Sequence, residues 1–180
     1  MARLFYALLL GVLGAGIVHI VVLFLLPSMT DRDAWSRLSG AGDLYQTVPL
    51  DRQRGPGRVL RAKDPLFEAV ACRFNLDDGG VHLRAAGHVP FWSMSIYDRS
   101  GRNIYSFNDR TAMEGELDVV VVTPLQMVEL RKDLPKTLEK SVFVEADIGE
   151  GIVVARSFVP DESWRPVIAA YLSGLACATP

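Results

Sequence analysis

No charged side chain occurs between Leu4 and Leu26, LFYALLLGVLGAGIVHIVVLFLL. As a helix that stretch spans roughly 34 Å, against a bilayer hydrocarbon core of about 30 Å. It is longer than the roughly 7–15 apolar residues of a cleaved signal peptide. The PSMTDRDA after it offers no small-residue cleavage site. The stretch therefore reads as an uncleaved single-pass anchor over residues 1–27. Arg3 lies before it, and Arg32 and Arg37 lie after it, so positive charge alone does not orient the helix. A short head before an uninterrupted apolar run is the pattern of a signal anchor that exports the chain beyond it. The expectation is a bacterial inner-membrane protein with a periplasmic C-terminal domain.

A charge excess of either sign is also missing. Nineteen basic and 21 acidic residues give a formal net charge of −2 over 180 residues. A nucleic-acid binder would normally show a basic face, so that class is disfavoured. No run of five like charges, low-complexity tract or solenoid-type repeat occurs, and 49% hydrophobic residues exclude wholesale disorder.

The common catalytic and cofactor signatures are absent as well. The chain has no G-x-S-x-G elbow, H-E-x-x-H pair, phosphate-binding loop or dinucleotide fingerprint, and nothing calls for a cofactor. Only three histidines occur, one of them, His19, inside the apolar run. His82 and His88 lack a convincing third ligand, so no metal site is expected. The carboxylates Asp77, Asp78, Asp98, Asp109, Asp147 and Glu150 fall mostly at turns, where aspartate bonds nearby backbone. Cys72 and Cys177 are the only cysteines. In an exported domain they could pair, closing a loop of about 105 residues worth on the order of 4–5 kcal/mol in the chain-entropy picture. The alternative is two separate buried thiols.

What is present is organised in three parts: the anchor, a juxtamembrane helix and linker over residues 28–63, and a β-rich globular domain over residues 64–180. Gly11 and Ala15 lie one helical turn apart in the anchor, a spacing that permits close helix approach. Thr30 and Asp33 have capping-box spacing for a short helix. The glycine- and proline-rich stretch from Ser39 to Lys63 reads as an extended linker or loosely structured arm, a solvated spacer first, with contact between its four arginines and one lysine and acidic headgroups as the alternative. DPLFEAVACRF starts with Asp64 as a cap and Pro65 at a first helical position, predicting a helix. GVHLRAA, ELDVVVVT, KSVFVEADI and GIVVARSFV then read as strands. TPLQMVELRKD reads as a helix capped by Thr123 and Gln126. The end reads as a helix capped by Asp161, with Trp164, Ile168, Tyr171, Leu172 and Leu175 on one face. The fold class is therefore α+β: a transmembrane helix, then a mainly antiparallel sheet domain with a few flanking helices.

The segment FWSMSIYDRSGRNIYSFNDR reads as a β-hairpin turning at Ser100-Gly101. That register pairs Asp98 with Asn103, Ile96 with Tyr105, Ser95 with Ser106 and Met94 with Phe107. It places Trp92, Met94, Ile96, Tyr105 and Phe107 on one inward surface. The other face carries Ser93, Ser95, Tyr97, Ser106 and Asn108. It is either a half-polar outer face or the wall of a pocket where hydroxyls and an amide orient a ligand.

The hairpin with its adjoining Thr-Ala, the anchor ending AGIVHIVVLFLLPSMTDRDAW, the CRF at Cys72–Phe74 and the terminal SWRPVIAAYLSGLAC together resemble bacterial predicted integral membrane proteins of domain-of-unknown-function family twelve fifty-four. The hairpin is also similar to the related family twelve fourteen. The resemblance implies a sandwich or jelly-roll-like β domain and a protein partner from the related family, and it brings no catalytic residues. The functional expectation is a non-catalytic accessory or interaction protein of the envelope. The alternative is a glycan- or lipid-binding protein or enzyme that uses the polar hairpin face.

Overall fold

The computed structural model describes residues 2–50, 64–112 and 115–179. The arginine-rich part of the expected linker, 51–63, lies outside them. Helix α1 runs unbroken over Ala2–Ser39, and its segment Ala2–Leu25 is long and apolar enough to cross a membrane, with a mean hydropathy of 2.7. No new helix starts at Thr30: the backbone stays helical through Pro27, whose missing N–H removes only one hydrogen bond of the ladder. The juxtamembrane segment thus continues the apolar helix.

The nine strands among the described residues form two sheets. The first has the order β1-β2-β8-β4-β5, from Thr47–Pro49, Phe67–Asn75, Glu150–Phe158, Trp92–Asp98 and Asn103–Asn108, and every pairing is antiparallel. The second has the order β7-β6-β3-β9, from Val142–Glu145, Leu117–Val122, Val81–Ala85 and Ala176–Ala178. Here β6 and β7 run parallel and the rest antiparallel. One hydrophobic core joins the inner faces of the two sheets. Val70, Cys72 and Phe74 of β2, Met94 and Ile96 of β4, and Val153 of β8 meet Val81 and Leu83 of β3, Val119 and Val121 of β6, and Cys177 of β9. The molecule is a two-sheet sandwich of the α+β class, with helices α2 (Pro124–Leu130) and α3 (Arg165–Ser173).

The helix expected from Asp64 is instead the strand β2. Asp64 Oδ1 does accept a backbone hydrogen bond, from Leu66, but in a local turn that leads into the strand. Tertiary context decides. Strand β2 sits between β1 and β8, so it gains two ladders, and its alternate residues serve two packed faces. Val70, Cys72 and Phe74 point into the core, while the small Ala69 and Ala71 point outward and admit the end of α1.

Of the expected linker, the described part up to Leu50 is packed, with β1 paired to β2 and Val48 and Leu50 buried. Trp35 and Leu38 on the last turns of α1 are buried with Val48, Leu50, Ala71 and Ile152 on the outer face of the first sheet. The Trp35 ring lies 4.9 Å from the Arg73 guanidinium and 5.2 Å from that of Arg99. Arg99 also pairs with Glu150, and Arg73 donates to the Gly42 carbonyl at 2.8 Å. On the far side, α2 covers the second sheet through Met127 against Val120, Val122 and Leu138. Its capping box is complete: Gln126 N donates to Thr123 Oγ1, and Thr123 N donates to Gln126 Oε1. Helix α3 closes the core with Ile168, Tyr171 and Leu172, whereas Trp164, expected on the same face, stays 37% exposed in a single 3-10 turn. Asp161 caps that turn through Ser163 N.

Cys72 of β2 and Cys177 of β9 are disulfide-bonded, tying one sheet of the sandwich to the other. Both are buried. The bond therefore joins two strands, not two helices, because β2 is extended and the chain after Ser173 returns as β9.

Candidate functional site

The hairpin forms with Met94 opposite Phe107, Ser95 opposite Ser106 and Ile96 opposite Tyr105. A β-bulge after Ile96 then pairs Tyr97, and not Asp98, with Asn103. The displaced Asp98 closes the turn. Its Oδ1 accepts from the Ser100 hydroxyl and the Arg102 N–H, and its Oδ2 from the Arg102 guanidinium. Burial alone would raise the Asp98 carboxyl, but these hydrogen bonds and the Arg102 charge outweigh it and hold the group below its ordinary range. Trp92, Met94 and Ile96 are almost wholly buried, and the Trp92 indole donates to the Gly115 carbonyl at 2.8 Å. Tyr105 shares their face but is 49% exposed, because β5 is an edge strand and its side chain extends past the core.

The outer face brings Ser93, Ser95, Tyr97, Ser106 and Asn108 onto adjacent strands, with Ser93 opposite Asn108. Their polar atoms largely bond within the hairpin. Asn103 donates to Ser106 Oγ at 2.9 Å, and Ser106 donates to the buried Ser95 Oγ at 2.9 Å. Asn108 Oδ1 accepts from Arg110 N and caps the adjoining helical turn. Tyr97 packs at the edge of the Trp35 cluster. None of the five lines either of the two cavities at α3.

The first of these, a cleft of about 450 Å³, lies between α3 and the β1–β2 edge. Its walls are mostly apolar, from residues such as Pro49, Val70, Ala169 and Leu172, and its charged groups are Glu68, Glu162 and Arg165. Glu68 is 5% exposed on the core-facing side of β2, a position that alternation makes equivalent to Val70, Cys72 and Phe74. Arg165 opens α3 and is held by three hydrogen bonds. Its Nε and one terminal nitrogen grip both oxygens of Glu162 at 2.9 and 2.8 Å, and the other donates to Glu68 Oε1 at 3.0 Å. Glu162 first, then Glu68, push the guanidinium further into its charged form. A helical reading of Asp64–Phe74 hides this group, because it gives Glu68 no special place. On a strand, a glutamate in register with three core residues is a visible anomaly.

The second cavity, shallower and about 500 Å³, is lined by Gly87, His88, Val167 and Tyr171. Burial raises the Tyr171 phenol, helped by the charges of Glu116 and Asp109. His82 is elsewhere: its Nε2 lies 2.8 Å from Asp118 Oδ1, which also accepts from Ser141. Among the described residues no group of three or more His, Cys, Asp or Glu is placed to hold a metal ion.

The fold defines a class: a β-sandwich clasped by the end of a long N-terminal helix. Among solved structures it is similar to the VPA0106 protein from Vibrio parahaemolyticus, with a TM-score of 0.58 at 9% identity, over 85% of this chain and 36% of that one. An uncharacterised protein from Burkholderia cenocepacia gives a TM-score of 0.43 at 12% identity, over 76% of this chain and 37% of that one. The chain thus spans little more than a third of either protein, and the likeness to the Vibrio protein, at 9% identity, speaks for fold alone. No protein-family profile matches the chain, and no curated protein matches it significantly.

Proposed function

We propose that this protein is a single-pass, membrane-anchored accessory protein of the bacterial envelope, with a non-catalytic sandwich domain displayed in the periplasm. One observation carries the reading: the apolar helix continues past Leu25 without interruption and ends clasped to the first sheet by Trp35 and Leu38. The helical residues 26–39 add roughly 21 Å of rise beyond the span, so the domain stands at a set distance from the bilayer. A flexible tether would suit an enzyme that searches for substrate, whereas a stiff stalk suits a module that presents a surface to a neighbour. The sheet-to-sheet disulfide supports an oxidising compartment. The resemblance to family twelve fifty-four suggests a companion from the related family as that neighbour.

The test has two arms. A C-terminal alkaline phosphatase fusion should be active and a C-terminal GFP fusion dark, as for an exported end. A photo-crosslinking residue at Ser93, on the hairpin's outer face, should give a discrete adduct with an envelope protein in living cells. A bright GFP fusion, or no adduct from that face, would count against the proposal.

A further inference from the structure

We infer that the anchor pairs with a second copy of this chain: the two helices pack in parallel through the face of Gly11, Ala15 and His19, and their imidazoles share a hydrogen bond inside the membrane. The inference rests on the membrane span proposed above.

The argument starts from His19. It lies within the apolar segment Ala2–Leu25, six residues or roughly 9 Å of rise short of its end. Lysine and arginine reach the interface from such depths on long stems, but an imidazole on a single methylene does not. Its ring nitrogens need hydrogen bonds that hydrocarbon cannot give. The chain itself supplies none. Among the described residues no hydrogen bond or ion pair reaches the ring, and none of the apolar segment is buried by the rest of the chain. On the same helix the nearest hydrogen-bonding side chains in sequence are Tyr6 and Ser28, more than two turns away. The segment 51–63 carries Asp51, four arginines and Lys63, charges that hydrocarbon excludes. The partner is therefore another molecule in the membrane.

The choice of partner follows from symmetry and depth. Imidazole, when neutral, carries one donor and one acceptor, so it is its own complement. Copies of one chain insert the same way round, which sets His19 opposite His19 at one depth with no further condition. Any other span would need a polar group placed at that level. The surface beside the ring fits close approach. Gly11, Ala15 and His19 follow one another at four-residue intervals and fall within about 80° of arc, with Gly14 alongside. A Cβ added at Gly11 or Gly14 would meet nothing within 4 Å, so no contact among the described residues accounts for either glycine. Small residues let two helix backbones approach, and the rings then meet one turn further on.

The test uses purified full-length protein carrying a donor or an acceptor dye at its C-terminus, mixed in phosphatidylcholine vesicles. Flotation with the vesicles reports insertion, and energy transfer reports pairing. Transfer should be present and should fall as lipid is added, as for a reversible dimer. His19→Leu should weaken pairing about three- to tenfold, the effect of one hydrogen bond between membrane helices, and Gly11→Ile about tenfold or more. Ile20→Ala, on the opposite face of the helix, should leave it unchanged. Protein that floats without transfer is a monomer and overturns the inference alone. Transfer undiminished in both His19→Leu and Gly11→Ile would place the pairing in the sandwich domain and overturn it as well. Failure to float would overturn the span and the pairing together.

Discussion

Gly151 lies opposite Phe74 in the β2–β8 ladder, and a Cβ there would be driven into the fully buried phenylalanine ring. Gly151→Ala should therefore destabilise the domain by about 1–3 kcal/mol, the usual penalty of overpacking, seen as a lower urea midpoint. Asp98 makes the complementary case for a polar side chain. It accepts three hydrogen bonds at the hairpin turn, and Asp98→Asn should cost about 1–2 kcal/mol at pH 7. Because its folded pKa is depressed, its charge contributes stability that is complete above the ordinary value of 3.8 and lost as pH falls through the lower, folded value. The stability gap between the native protein and Asp98→Asn should thus be level from about pH 5 to 7 and narrow in acid. A gap that widened in acid would contradict the assignment. Gly101, with φ of 86°, supplies the left-handed residue the same turn requires.

The elements differ in how much of them local sequence determines. The hairpin and α2 were legible because their signals are local: strict alternation around a glycine turn, and a cap with its capping-box partner three residues on. Strand β2 was not, because Asp64-Pro65 is a valid helix start and the strand exists only through two neighbouring strands, one of them far away in sequence. The same reasoning covers the cleft, since Glu68 becomes conspicuous only once β2 is extended. The bulge after Ile96 carries no compositional mark. Nor does sequence show that α1 ends on the sheet, because Trp35 is one aromatic among polar residues until Arg73 and Arg99 arrive from elsewhere in the chain. At this scale the clasp can be tested. Trp35→Ala should cost about 3 kcal/mol or more, in line with large-to-small changes at buried sites. It should also raise amide exchange in Thr47–Pro49 and Ala69–Arg73 more than in the distant β6 and β7. Uniform exchange across both sheets would instead place the Trp35 contact outside the clasp.

Taken whole, the molecule is a sandwich whose two sheets are held by one core and one covalent tie. The loop closed by Cys72 and Cys177 spans 105 residues, so Cys72→Ser with Cys177→Ser should lose on the order of 2–5 kcal/mol of stability. The sandwich, the tie and the apolar helix together support the proposal made above, of a protein lodged in a membrane whose domain matures in an oxidising space. Its most direct test is thiol alkylation of the full-length protein, fractionated from its native host and denatured without reductant. The account predicts recovery only from the membrane fraction, release only by detergent, and no alkylated cysteine until a reductant is added, after which both react. Release without detergent, or two alkylated cysteines before reduction, would contradict it.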